Sequence, residues 1–331
     1  MSAITLDIQK KNPQLRSLNI MRDLPRVADL VETCFSGTMD AEGLRFIQQM
    51  RRAGQDNSFL RWAAKAVDSA SMPLSGYVWE ESGQLVGNVS LIPYRSQGHK
   101  IFLIANVAVH PDHRRKGIAR LLTETALEYT WKHKSGATWL QVRDDNPGAI
   151  KLYSDLGFRE QVRRTQWQAD PDKNLPIGNH EFEIRKRMAG HWSQQRDWME
   201  RIYPEELSWY QPMPWTSFKP GLLPGITRFF MESESQTWTV TNSTGLLAAI
   251  SWISSYGRSE PLWAAIPVEV EIKAFTALLL YVRRVLAHHE TLSLDMPFGV
   301  AEEALRAAGF QDRRTLVWMQ LDKTIFDIMR R

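Results

Sequence analysis

At 331 residues the chain exceeds the usual size of a single domain, so two domains, each with its own core, are expected. Its composition, 43% hydrophobic and 24% charged with a formal net charge of +4, is that of a soluble globular protein, and no apolar run is long enough to cross a bilayer. The lone cysteine, Cys34, excludes an internal disulfide framework, and acidic residues mixed among the basic ones leave nucleic-acid binding unnecessary.

The opening MSAITLDIQKKNPQLRSLNI has no apolar core followed by a small-residue cleavage site, so a reducing cytoplasm is the expected location. Apolar residues at helical spacing over 24–35 predict a first helix, with Asp23 and Pro25 suited to its first turn. Residues 39–50 predict a second. Segments 76–80, 84–93 and 100–109 read as a meander of three strands, the last one largely apolar. Next come a helix over 117–133 and a strand over 138–142. A short helix follows, opened by Asn146-Pro147, where Asn caps free N–H groups and Pro suits the first helical position, and closed by Gly157. Strands at 163–168 and 180–186 are expected to close this first unit.

The rest of the chain partly repeats that order. A helix is predicted over 192–203, strands over 237–240, 245–256 and 261–266, a long helix after Pro267, and a strand over 291–295. A short helix ending in Gly309-Phe310 and a strand over 314–321 complete the series. From proline to Gly-Phe the elements come in the same order as in 111–158, which implies an internal duplication far longer than a solenoid repeat. The expected division is 1–188 and 189–331.

The joint between the 100–109 strand and the next helix reads His-Pro-Asp-His-Arg-Arg-Lys-Gly-Ile-Ala-Arg-Leu-Leu, residues 110–122. Backbone N–H groups at a helix N-terminus lack intrahelical partners and point outward as an anion site, reinforced by the helix dipole. A glycine there lets a phosphate approach the backbone closely. A solvated basic helix start has the same local pattern, so this segment alone leaves both readings open.

Its context adds a resemblance. Arg114-Arg-Lys-Gly-Ile-Ala119 resembles the pyrophosphate loop of the GNAT superfamily of N-acetyltransferases: Arg or Gln, two residues, Gly, one residue, then Gly or Ala. The segment Asn146-Pro-Gly-Ala-Ile-Lys-Leu-Tyr-Ser-Asp-Leu-Gly-Phe158 resembles the second GNAT signature, and the similarity spans roughly residues 18–188. The resemblance implies an α/β (α+β) fold of two GNAT-like domains, each a mixed, mostly antiparallel sheet flanked by helices. It implies that the backbone of Val107, Ala108 and Val109 pairs with the pantetheine arm of acetyl-CoA. It assigns the pyrophosphate to Arg114, Arg115, Lys116, Gly117, Ile118, Ala119 and Arg120, a cofactor hydrogen bond to Asn146, and the general acid to Tyr153. A phenol suits the leaving thiolate, whose pKa is about 8.5 against about 10 for tyrosine. Tyr153 also shares a helix face with Ala149, Ile150 and Leu156, so a core aromatic is its other reading.

The sequence departs from the family pattern at the base. Where GNAT enzymes often carry a glutamate, this chain has Ala105-Asn106 and Gln141, neither a base at neutral pH. Glu80, Glu81 or an ordered water held by backbone carbonyls are the remaining candidates. His110, Asp112 and His113 do not make a convincing ligand set, so no metal is expected. In the second copy the loop equivalent, Pro267-Val-Glu-Val-Glu-Ile-Lys273, has no glycine and two glutamates, and Leu305 stands where Tyr153 stands in the first. The expectation is a tandem GNAT chain with a degenerate C-terminal copy and one active site. That site would transfer acetyl from acetyl-CoA directly to a primary amine, on a small molecule or at an N-terminus. A non-catalytic acyl-CoA sensor is the alternative; no membrane or nucleic-acid partner is expected.

Overall fold

The structure, a computed structural model, describes residues 12–39, 41–66, 72–175, 181–220, 234–254, 259–322 and 324. The chain divides into two compact units. Unit 1 takes Met1–Val142, Asn146–Gln161 and Trp318–Arg331, and unit 2 takes Arg143–Asp145 and Val162–Val317. Among the described residues no helix is long and apolar enough to cross a membrane.

In unit 1, helix α1 (Ile20–Phe35) starts at Asn19, whose Oδ1 accepts the Met21 N–H at 3.1 Å. This is a turn earlier than the apolar spacing indicates, because the cap and not the first hydrophobe sets the start. Asp23 is fully buried, where Arg16 donates to it at 2.6 and 3.0 Å and the Asn19 N–H at 2.9 Å. The apolar face of α1 (Leu24, Val27, Ala28, Val31) meets Ile47 and Met50 of α2 (Ala41–Ala53) and Leu60 of α3 (Asn57–Ala66). Together they cover one face of the sheet at Val78, Leu85 and Ala108.

That sheet begins with β1 (Leu15–Ser17) and continues through the antiparallel meander β2 (Ser75–Glu81), β3 (Gln84–Ser96) and β4 (His99–Val109). The tight turn between β2 and β3 puts Ser82 and Gly83 at φ 48° and 80°, the left-handed geometry that suits a two-residue hairpin. Helix α4 (Ile118–Lys132) returns the chain to β5 (Ala137–Arg143), which runs parallel to β4. Helix α5 (Pro147–Asp155) then leads to β6 (Phe158–Ala169). The strand order in unit 1 is β1-β2-β3-β4-β5, then residues 318–321 of the final strand β12 (Gln311–Leu321), then residues 158–161 of β6.

Unit 2 repeats the plan with β7 (Glu183–Lys186), α6 (Trp192–Ile202), α7 (Trp215–Phe218), β8 (Ser235–Asn242), β9 (Gly245–Ile253) and β10 (Ser259–Ala265). Helix α8 (Ile272–Val285), β11 (Thr291–Pro297) and α9 (Glu302–Ala307) follow. Strands β7 to β10 are antiparallel neighbours, and β10 and β11 are parallel. The core gathers Trp167, Trp238, Trp252, Phe275, Leu294 and Phe310.

The boundary expected at 188/189 is corrected by pairing. Residues 183–186 do not close unit 1; they pair with β8, from Glu183 opposite Thr241 to Lys186 opposite Trp238. Residues 162–169 of β6 also belong to unit 2, where Trp167 sits opposite Leu294 of β11. The place thus left in unit 1 is taken by residues 318–321. Trp318, read from sequence as part of the second half, lies in unit 1. Residues 255 and 256 of the strand predicted over 245–256 lie outside the described residues.

Candidate active site

Strands β4 and β5 pair from Ile101 opposite Ala137 to Ile104 opposite Leu140, and the pairing stops there. Both strands run on, to Val109 and Arg143. The divergence has a local cause: Asn106 adopts φ 51°, and the β3–β4 register shifts between Asn88 and Ser90, which is a β-bulge that turns β4. Beyond the bulge Ala108 and Val109 stay paired with Asn88 and Gly87 of β3. Among the described residues no strand pairs with the other edge of Val107, Ala108 and Val109, although at Val109 side chains of the same unit reach it: Arg114 Nε donates to its carbonyl and Cys34 accepts from its backbone. Such an edge accepts an extended ligand by main-chain hydrogen bonding.

Helix α4 begins immediately beyond. Pro111–His113 form one 3₁₀ turn, Arg115 lies at φ 64°, and Gly117 caps the helix at φ 79°. The first backbone bond of the helix is Leu121 N–H to the Gly117 carbonyl at 3.1 Å. The amides of Arg115, Lys116, Gly117, Ile118, Ala119 and Arg120 therefore donate to no described residue. An added Cβ at Gly117 would meet nothing within 4 Å, so the backbone here is open to a ligand. The basic side chains separate in role. Arg114 turns back, its Nε donating to the Val109 carbonyl at 3.2 Å. Arg120 bridges to Glu124 at 3.8 Å and to Asp155 of α5 at 3.4 Å. Arg115 and Lys116 remain exposed at the turn.

Asn146 caps α5, its Oδ1 accepting the Ala149 N–H at 3.1 Å, which leaves its Nδ2 as the group open to a ligand. Two turns on, Tyr153 is buried at 7% exposure and packs edge-on against Phe158, ring centroids 6.1 Å apart. Burial pushes its phenol well above the ordinary tyrosine range, so it is a protonated donor at neutral pH.

The carboxylates weighed as bases are both committed. Hydrogen bonding from Arg16 at 2.7 Å, joined by Arg26 at 3.2 Å, holds Glu80 below the usual range. Trp79 Nε1 donates to Glu81 at 2.7 Å, with His113 Nδ1 3.1 Å away, and lowers it likewise. Cys34 is half-buried, and burial pushes its thiol up despite the nearby Arg114. Among the described residues no group of three or more His, Cys, Asp or Glu side chains gathers as a metal site.

Comparison with known proteins agrees with this layout. Residues 39–158 match the model of the Acetyltransferase (GNAT) family. The ribosomal protein bS18 alanine N-acetyltransferase of Escherichia coli K12 is 39% identical over 67 residues, 20% of this chain and 45% of that protein. N-acetyltransferase 8B of Rattus norvegicus is 33% identical over 89 residues, 26% of this chain and 40% of that protein. The chain thus spans less than half the length of these curated relatives. A GCN5-related N-acetyltransferase from Sphaerobacter thermophilus shares the fold at TM-score 0.56 and 14% identity, covering 93% of this chain and 95% of that one. A tandem GNAT protein from the clavulanic acid biosynthesis pathway does so at TM-score 0.51 and 15% identity, covering 92% and 98%. The match over residues 39–158 takes in the loop, the cap and Tyr153.

The GNAT plan makes the contrast with unit 2 specific. There β10 and β11 also part after Leu262 opposite Leu294. The edge so exposed is taken by the unit's own side chains. The Ala264 N–H donates to the Tyr203 hydroxyl at 2.9 Å, and Arg201 hydrogen-bonds the Ile266 carbonyl. Arg164, 4% exposed, donates to Asp295 Oδ2 at 2.9 Å, to the Asp295 carbonyl at 2.9 Å and to the Ile202 carbonyl at 2.7 Å. Its guanidinium lies 5.3 Å from the Tyr203 ring centroid. Helix α8 starts at Glu271 without a side-chain cap, and Leu305 is fully buried. The sequence signals the lost glycine and the added glutamates but not the tyrosine plug. Tyr203 ends a predicted helix and carries no motif.

Proposed function

We propose that unit 1 transfers an acetyl group from acetyl-CoA to a primary amine by direct attack in a ternary complex. The observation that carries this reading is the run of amides at residues 115–120 that donate to no described residue, directly beyond the edge of Val107, Ala108 and Val109 that no described strand covers. The residues fit the cosubstrate: an extended edge for its arm, a helix N-terminus for its diphosphate, and Arg115 and Lys116 for its charge. Acetyl-CoA supplies the acyl group as a thioester. The chain's own part is to hold that group by main-chain donors, to exclude water around Tyr153, and to deliver the Tyr153 proton to the departing sulfur. Burial keeps the phenol neutral but also makes it a weaker acid, so its first part is a hydrogen bond to the departing sulfur, with the proton following as charge builds there.

With Glu80 and Glu81 committed, the amine loses its proton through water rather than to a carboxylate. The acceptor is a small amine or an N-terminal amine, the latter in keeping with the bS18 alanine N-acetyltransferase among the relatives. Unit 2 is the degenerate copy, its cleft occupied by Tyr203 and Arg164, so each chain has one site. The committed glutamates also support a second reading, an acyl-CoA-binding sensor without turnover. Calorimetry with acetyl-CoA on wild type and Gly117→Val tests the binding half. Loss of binding in the folded variant is expected, and unchanged affinity overturns the loop assignment. Release of free thiol in the presence of an amine library separates enzyme from sensor.

A further inference from the structure

Asn88 is a polar side chain where the fold asks for an apolar one. It is fully buried, and its cross-strand neighbours Val78 on β2 and Ala108 on β4 both belong to the apolar core beneath α1. A buried amide is unfavourable in such surroundings unless its hydrogen bonds are made. Here only the donor end is used. Nδ2 donates to the Asn106 carbonyl at 2.9 Å and to Ser90 Oγ at 3.2 Å, while Oδ1 has no partner. Ser90, itself 1% exposed, also accepts from Asn106 Nδ2 at 3.4 Å. The group grips the one residue of β4 in the left-handed region, at φ 51°. A left-handed backbone at a non-glycine persists only where its surroundings hold it.

We propose that Asn88, supported by Ser90, is a positioning residue for acetyl transfer: it fixes the bulge at Asn106 and thereby aims the open edge of Val107, Ala108 and Val109. The proposal rests on the acetyl-transfer reading above. Asn106 stands at a position where related enzymes often carry a base. In this chain it serves as the hinge point of the strand, set from behind by Asn88. Because near-attack geometry tolerates little displacement, loosening the bulge lowers turnover by about 100-fold while leaving the diphosphate site untouched.

Asn88→Leu tests this, since leucine fills the same space without a donor. Two quantities are read on the full chain: kcat and acetyl-CoA affinity by calorimetry, and the Asn106 Cα and Cβ chemical shifts by NMR. The expected result is a fall in kcat of about 100-fold that exceeds any fall in acetyl-CoA affinity by at least about tenfold, and loss of the left-handed signature at Asn106. Retention of that signature overturns the proposal. So does wild-type kcat despite its loss. Asn88→Ser, too short to reach the Asn106 carbonyl, gives the same readouts where the leucine variant does not fold. Failure of the underlying reading shows separately, as wild-type protein that binds no acetyl-CoA, and the proposal then falls with it.

Discussion

Gly87 lies under the first turn of α4, and replacing it with alanine links packing to the candidate site. The added Cβ would sit 2.9 Å from Ile118 Cγ2, 2.9 Å from Trp79 Cβ and 3.0 Å from Leu122 Cδ1. Ile118 Cγ2 and Trp79 Cβ sit next to the backbone, and Leu122 Cδ1 ends a side chain that is fully buried. Ile118 and Leu122 are 2% and 0% exposed, so neither has room to retreat. Overpacking of this kind destabilises by about 1–3 kcal/mol, which for a protein of this size lowers Tm by about 1–4 °C. The only relief is outward movement of the start of α4, and the amides of Ile118, Ala119 and Arg120 move with it. Acetyl-CoA affinity is therefore expected to fall by about tenfold or more, beyond what the loss of stability accounts for. Gly117→Ala is the comparison. It meets no atom within 4 Å but is held at φ 79°, so its penalty is backbone strain of about 1–2 kcal/mol without a helix shift. Differential scanning calorimetry and titration calorimetry on both variants make the test. Wild-type Tm and affinity in Gly87→Ala would refute the argument that this contact seats the loop.

Tyr153→Phe keeps the packing against Phe158 and removes the proton; acetyl-CoA affinity stays within about twofold while kcat falls by about 100-fold or more in steady-state assays. Arg164→Met removes the hydrogen bonds to the half-buried Asp295 carboxyl, the Asp295 carbonyl and the buried Ile202 carbonyl, and lowers stability by roughly 1–3 kcal/mol in chemical denaturation, with acetyl-CoA affinity at the wild-type value. Burial alone would raise Asp23, but hydrogen bonds from Arg16 and the Asn19 N–H outweigh it and hold the carboxyl below its unfolded value. Its stabilisation is therefore full above about pH 4 and lost as pH falls through the depressed folded pKa. Denaturation midpoints between pH 3 and 5 are expected to drop in wild type and to flatten in Asp23→Asn.

Much of unit 1 was legible because each signal was local. Asn146 and Pro147 announced α5, Gly117 announced the start of α4, and the alternating runs gave β2 to β4 to within a few residues. The sequence also pointed to the loop residues, since the glycine and its basic neighbours sit within one turn. What it concealed depends on distance along the chain. Nothing local in Glu183–Lys186 says that it pairs with β8, and nothing in residues 318–321 says that they lie between β5 and β6. Helix α3 is absent from the sequence reading because its 10 residues are too short a run for apolar spacing to separate a helix from a buried strand. Asn88 and Asn106 are 18 residues apart, and only the strand register brings their side chains together. Tyr203 gave no sign of filling a cleft, because an aromatic at a helix end is ordinary core material until its hydroxyl partner is seen.

The late return of the chain to unit 1 bears on biosynthesis. A ribosome that has translated the loop, the cap and Tyr153 has still not made the segment that separates β5 from β6. Until Leu321 emerges, that nascent sheet has a gap between β5 and β6 and two unsatisfied edges within it. Expression of residues 1–188 alone would preserve this defect permanently, so the half that carries the candidate site is not a portable module.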